Sequence, residues 1–339
     1  MLDSPVRATV ALLVGLLAAL VLIGFVVRRL RLPLSVALVL FGLLAAFVAP
    51  GRLRISEDVV LFALLPGLVF EAAIRIRLDD LRRVAGRVTL LAVPGVVFMA
   101  LFVAVALKFT AGVPLAVGLV LGAMLSATDP VAVVTSMREN GAPRQLATLV
   151  EAESLFNDGT GVLLFSAALA AIGGQPDLAF EAGHFVVALA ASLAIGGGLG
   201  WLAARLLEAT DDHLLDLTIT VLLAYGTYLL ADTLGASGII ATVSAGILLA
   251  TLGRETGMRP ATRARVDAIW EFVAFVLTAI VFLLIGLSST FEDVGAALWP
   301  TAVTIAALLA GRAVVVYGGI GGLRALARWR PNLPGGLAL

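Results

Sequence analysis

Four carboxylates fall inside two consecutive apolar stretches of this 339-residue chain. They are Asp129 in SATDPVAV, and Glu151, Glu153 and Asp158 in VEAESLFNDGTGVLLF. An ionised side chain at the middle of a bilayer costs about 2.5–3.5 kcal/mol on insertion scales, so such groups face a cavity, a partner or a pathway. Pro130 has no N–H and its ring crowds the carbonyl of Ser126. The helix is therefore expected to break there, freeing main-chain oxygens beside Asp129 at a depth where irregular backbone lines a cavity. On the next helix Ser154, Asn157, Asp158 and Gly161 recur at i, i+3, i+4 and i+7 and share a face. Glu153 points elsewhere, roughly 140° from Asp158 at 3.6 residues per turn. One face thus offers a carboxylate, an amide, a hydroxyl and a glycine gap, and oxygen donors of this kind suit a hard cation. Burial disfavours the charged form of a carboxylate. A proton and a cation would then compete for Asp158, the simplest way to couple two fluxes.

The elements that must hold these residues are membrane spans. The chain is 61% hydrophobic and 14% charged, against about 45–50% apolar and 25% charged in soluble domains. That balance predicts an all-α polytopic membrane protein. Cysteine is absent and only two histidines occur, which excludes disulfides and thiolate metal sites and argues against a histidine metal site. A formal net charge of zero gives no reason to expect a nucleic-acid partner. The N-terminus has no signal-peptide pattern. Eleven apolar runs have the length that a bilayer requires, about 17–25 residues: 8–27, 33–50, 57–74, 88–107, 113–136, 145–172, 184–204, 213–231, 236–252, 268–289 and 296–322. With the N-terminus outside, the inner loops hold 18 of the 23 basic residues and the outer loops four, with Arg312 inside a span. This is the positive-inside pattern. AIGGGLG in the seventh span suits close helix packing.

TDPVAV followed by ESLFNDG resembles the NhaP/NHE-type sodium/proton antiporters, the Asn-Asp branch of the monovalent cation:proton antiporters. LVFEAAI (68–74), SGIIATVSAGILL (237–249), VFLLIGL (281–287) and GRAVVVY (311–317) resemble the same family in the same order. The resemblance implies an inverted-repeat antiporter fold with broken helices and thirteen spans. Residues 1–172 would form the first six-helix repeat, 184–207 a linker helix and 213–339 an incomplete second repeat. PNLPGGLAL reads like the opening of another apolar helix, so the chain is expected to be C-terminally truncated. The resemblance further implies a homodimer in a bacterial plasma membrane, working in pH homeostasis. It implies no cofactor, only the transported ions.

Several roles come with the resemblance. Thr128 would offer its main-chain oxygen to the ion, Asp129 would shape the site, and Ser154 and Asp158 would ligate. Asn157 stands where the electrogenic branch has a second aspartate, which suggests one proton per cation and electroneutral exchange. Arg312 lies too far from the span ends to snorkel comfortably, and a charge-assisted pair with a buried carboxylate fits it better. The family match makes Glu153 its partner. Glu151, nearer the cytoplasmic mouth, would attract cations. Thr278 stands where the family often has asparagine.

The leading expectation is exchange of sodium or lithium for protons, with potassium/proton exchange as the alternative, since oxygen ligands alone do not separate these ions. An intramembrane aspartyl protease also needs paired aspartates, but its Gly-x-Gly-Asp context is absent. A cation channel would need a continuous pathway, for which buried titratable carboxylates are poorly suited.

Overall fold

A computed structural model describes residues 5–30, 34–48, 58–128, 130, 133–134, 136–137, 140–173, 178–210, 212–253, 260–288 and 294–318. Among these residues there is no strand. Twelve α-helices follow one another: α1 (Pro5–Leu30), α2 (Leu34–Val48), α3 (Leu65–Arg75), α4 (Leu78–Ala92), α5 (Pro94–Ala111), α6 (Leu115–Ser126), α7 (Arg144–Gly173), α8 (Leu178–Glu208), α9 (His213–Thr233), α10 (Gly238–Leu252), α11 (Pro260–Ser288) and α12 (Val294–Ala313). A π-helical turn, Val59–Leu64, leads into α3, and another, Val314–Gly318, ends α12.

Each of the eleven apolar runs overlaps one of these helices, except the fourth, which overlaps two. The fourth differs from its sequence reading. Residues 78–87, taken there as part of an arginine-bearing loop, belong to α4, and α4 with α5 makes a 34-residue helical stretch, Leu78–Ala111, that contains an apolar window. Five charged residues hide α4 from a hydropathy window, but Val84, Val88 and Ala92 repeat every four residues along its buried side. Among the described residues five helical stretches are long and apolar enough to cross a membrane, and three shorter apolar helices accompany them. The long α7 is not among them.

The chain divides into two compact units, with the boundary inside α3. The first unit comprises residues 1–71 and 263–292. Leu20, Ile23 and Val27 of α1, Leu38 of α2 and Ala279 of α11 form its core. Gly42 and Gly286 bring two backbones together: a Cβ on Gly42 would lie 3.0 Å from the Gly286 Cα. Phe70 and Trp270, both buried, stack at a tilt with centroids 4.9 Å apart.

The second unit, residues 72–262 and 293–339, carries the carboxylate-bearing helices. In it α5 packs on α6, α6 and α4 pack on α7, α12 packs on α5, and α10 packs on α8 and α9. Small residues permit this. A Cβ on Gly122 would lie 2.6 Å from the Ala100 carbonyl oxygen, and one on Gly118 would lie 2.8 Å from the Ala104 Cα. Of the seventh-span glycines, Gly196 and Gly200 abut Ala241 and Ala245 of α10, whereas Gly197 and Gly198 face open space. The Trp299 indole N–H donates to the Thr110 carbonyl at 3.0 Å, tying α12 to α5.

Candidate ion-binding site

The site is assembled at two interruptions of the helical backbone, both crossed by α7. The first is at Ser126, where α6 stops. Ala127 is extended (φ −69°, ψ 129°), and helical bonding resumes where the Val134 N–H donates to the Pro130 carbonyl at 2.8 Å. The missing N–H of Pro130 accounts for the stop. The second is at Val93 (φ −114°, ψ −78°), just before Pro94 opens α5.

Three side chains of α7 reach these interruptions. The Ser154 hydroxyl donates to the Thr128 main-chain carbonyl. Asn157 Nδ2 lies 3.3 Å from Thr128 Oγ1 and 2.9 Å from Glu153 Oε1. The Thr160 hydroxyl donates to the Ala92 carbonyl. Gly161 closes the approach, since a Cβ there would lie 3.3 Å from the Ala123 carbonyl oxygen. Ser154, Asn157 and Thr160 are all essentially inaccessible to solvent.

Glu153, also buried, uses both oxygens. Oε1 accepts from Asn157, and Oε2 accepts from Arg312 Nη2 at 2.8 Å. An ionised carboxylate only accepts hydrogen bonds, so the Asn157 amide must turn its NH2 towards Glu153. Its Oδ1 is left buried with no hydrogen-bond partner among the described residues. A chain of contacts therefore runs Thr128–Asn157–Glu153–Arg312, joining the α6 break to α12.

Asp158 is half-buried and next to Asn157, on the Ser154 side of α7. Glu151 lies two turns earlier and lines a cavity with Arg75, Arg77, Asp80 and Arg144. The structure thus brings Thr128, Ser154, Asn157, Glu153 and Arg312 together and sets Glu151 apart from them. Asp129 lies outside the described residues. Among the described residues no three acidic or histidine side chains converge, so a cation here would draw on hydroxyl, amide and main-chain oxygens as well as a carboxylate. Thr160 is a site-shaping residue that the sequence reading missed. Its signal was available: it falls three residues after Asn157, and Pro94 announces the second interruption.

Residues 15–330 match the profile of a family described as "Sodium/hydrogen exchanger, transmembrane". The chain is 37% identical over 290 residues to the Na(+)/H(+) antiporter ApNhaP of Aphanothece halophytica, covering 85% of this chain and 56% of that protein. It is 36% identical over 294 residues to the low-affinity Na(+)/H(+) antiporter NhaS1 of Synechocystis sp., covering 85% and 55%. The chain thus spans about half the length of these curated relatives. Its fold is similar to that of the sodium proton antiporter MjNhaP1 from Methanocaldococcus jannaschii at pH 8. The TM-score is 0.76 at 20% identity, over 94% of this chain and 79% of that one.

Proposed function

This chain belongs to the transmembrane sodium/hydrogen exchanger family, and on that premise we propose that the protein is a secondary antiporter exchanging sodium for protons. The observation that carries the reading is the docking of Ser154 and Asn157 on Thr128, at the break that follows α6. It gathers a main-chain carbonyl, two hydroxyls and an amide oxygen with no partner among the described residues beside Asp158. In this proposal the ion is held by Asp158, Ser154, the Thr128 carbonyl and Asn157 Oδ1, with Asp129 shaping the site. Hydroxyl and carbonyl oxygens solvate an alkali cation as water does. Asp158 supplies the charge and takes up a proton when the cation leaves.

Glu153 and Arg312 are positioning residues, since the carboxylate fixes the amide and the guanidinium fixes the carboxylate. Glu151 draws cations towards Asp158. A neutral Asn157 leaves Asp158 as the titrating group of the α7 face, which supports one proton per cation and electroneutral exchange. Lithium, with the same charge and preference for oxygen, is the second cation proposed. The relatives' names support sodium, and no observation favours potassium.

The biased arginines support a bacterial plasma membrane with the N-terminus outside. The inverted-repeat division at 172–213 and a homodimer belong to the same proposal.

The test is transport. In proteoliposomes containing the purified chain, an imposed sodium gradient should drive opposite proton movement that clamping the membrane potential leaves unchanged. Loss of proton movement in Asp158→Asn, with the variant eluting as the native chain does, is the expected result. Sodium-driven proton flux in that variant, or a flux that follows the membrane potential, would contradict the proposal.

A further inference from the structure

Gly161 stands where α7 meets the end of α6. A Cβ added to it would lie 3.3 Å from the Ala123 carbonyl oxygen, 3.5 Å from Ser126 Oγ and 3.8 Å from Ala127 Cβ. The first of these contacts is tight enough that a neighbour would have to give by a few tenths of an ångström. All three atoms belong to the last turn of α6 or to the extended residue after it. Next comes Thr128, whose main-chain carbonyl accepts from Ser154. The bare Cα of Gly161 therefore sets how near the α6 break comes to the Ser154–Asp158 face.

Neither helix is free to retreat as a body. The backbone of α6 lies so close to α5 that Gly118 and Gly122 leave no room for a Cβ. Gly159 is about 160° from Gly161 round α7, and a Cβ on it would overlap Ile240 of α10, which is fully buried. Glu153 and Thr160 tie α7 to Arg312 of α12 and to the end of α4. Close-packed helices transmit a displacement instead of absorbing it. The segment from Ala127 has left the helical ladder, so an added methyl is accommodated there, and the Thr128 carbonyl moves away from Ser154.

Alkali-ion selectivity is attributed either to the fit of a cavity or to the field strength of its oxygens. Both depend on how closely the oxygens approach, so withdrawing one of them favours the larger ion on either account.

We propose that Gly161 is a specificity-determining residue. By admitting no side chain between α7 and the end of α6, it holds the Thr128 carbonyl at a spacing that suits sodium and lithium and disfavours potassium. The choice of ion rests on the antiport reading; the spacing does not.

The test is the ratio of the apparent KM for potassium to that for sodium, read from cation-driven proton movement in proteoliposomes. The native chain should favour sodium about tenfold or more. In Gly161→Ala the ratio should fall at least fivefold, chiefly through a higher KM for sodium. Gly197→Ala, whose methyl meets open space, should leave it unchanged. A purely structural role would lower the rate with both ions and leave the ratio where it was. An unchanged ratio in Gly161→Ala, or a native chain indifferent to the two ions, overturns the proposal. Should Gly161→Ala not fold, Gly161→Ala/Ser126→Ala removes the nearest side-chain atom and should show the same fall relative to Ser126→Ala. An unchanged ratio there overturns the proposal equally.

Hydrogen exchange separates these outcomes from failure of the antiport reading. Amides around residues 126–128 should exchange at least threefold faster in Gly161→Ala than in the native chain. That result, in a protein that moves no protons with either cation, counts against the antiport reading and leaves the spacing standing. Unchanged exchange overturns the spacing itself.

Discussion

Arg312 and Glu153, 159 residues apart in sequence, meet at 2.8 Å. The pair is lopsided: the Glu153 side chain is 5% exposed and that of Arg312 is 40% exposed. Each substitution therefore strands a different kind of charge. Arg312→Ala leaves a buried carboxylate with Asn157 as its remaining partner among the described residues, and should cost about 3 kcal/mol, the lower end of values for a broken buried pair. Glu153→Ala leaves the Arg312 guanidinium without this carboxylate and removes the Asn157 bond, and should cost about 1–3 kcal/mol. The double variant should lose less than the sum. Thermal unfolding in detergent measures all three, and additive losses would show that the pair is not coupled.

Asn157 links that pair to the backbone break. Asn157→Leu removes the bonds to Thr128 and Glu153 and leaves a buried carboxylate oxygen without that donor. The expected loss is about 2–4 kcal/mol. Hydrogen exchange should rise around residues 127–130 in this variant. Unchanged protection there would mean that Asn157 does not hold the break.

The seventh-span glycines separate packing from propensity. Gly196→Ala and Gly200→Ala drive a methyl into the backbone of α10 and should destabilise by about 1–3 kcal/mol. Gly197→Ala and Gly198→Ala meet open space within the protein and should stabilise by up to about 1 kcal/mol through helix propensity. Four melting temperatures decide the matter, and equal shifts at all four positions would contradict the close approach.

Thr160→Val leaves the Ala92 carbonyl without its hydroxyl donor at nearly constant volume. A loss of about 1–3 kcal/mol is expected, because that carbonyl is buried beside the Val93 interruption. Thr160→Ser keeps the donor and should recover most of the loss, as read by denaturant midpoint.

The spans were legible because a bilayer demands long apolar runs. The break after Ser126 was legible in Pro130, and the shared face of Ser154, Asn157 and Asp158 followed from helical spacing. Helix α4 was hidden because its five charges lower the local hydropathy, although its buried residues keep helical period. The contact of Asn157 with Glu153 went unread although i to i+4 spacing permits it, because attention fell on the face that Asn157 shares with Asp158. Thr160 escaped notice, although it falls three residues after Asn157, because its partner is a main-chain carbonyl 68 residues away rather than a side chain.

Competition between one proton and one cation at Asp158 is the centre of this account. The most direct test is to add sodium to the detergent-solubilised, weakly buffered protein and to record proton release. The account expects saturable release of about one proton per chain, absent in Asp158→Asn, with the variant's melting profile still cooperative. Undiminished release from Asp158→Asn, or sodium binding to the native chain without any release, would contradict it.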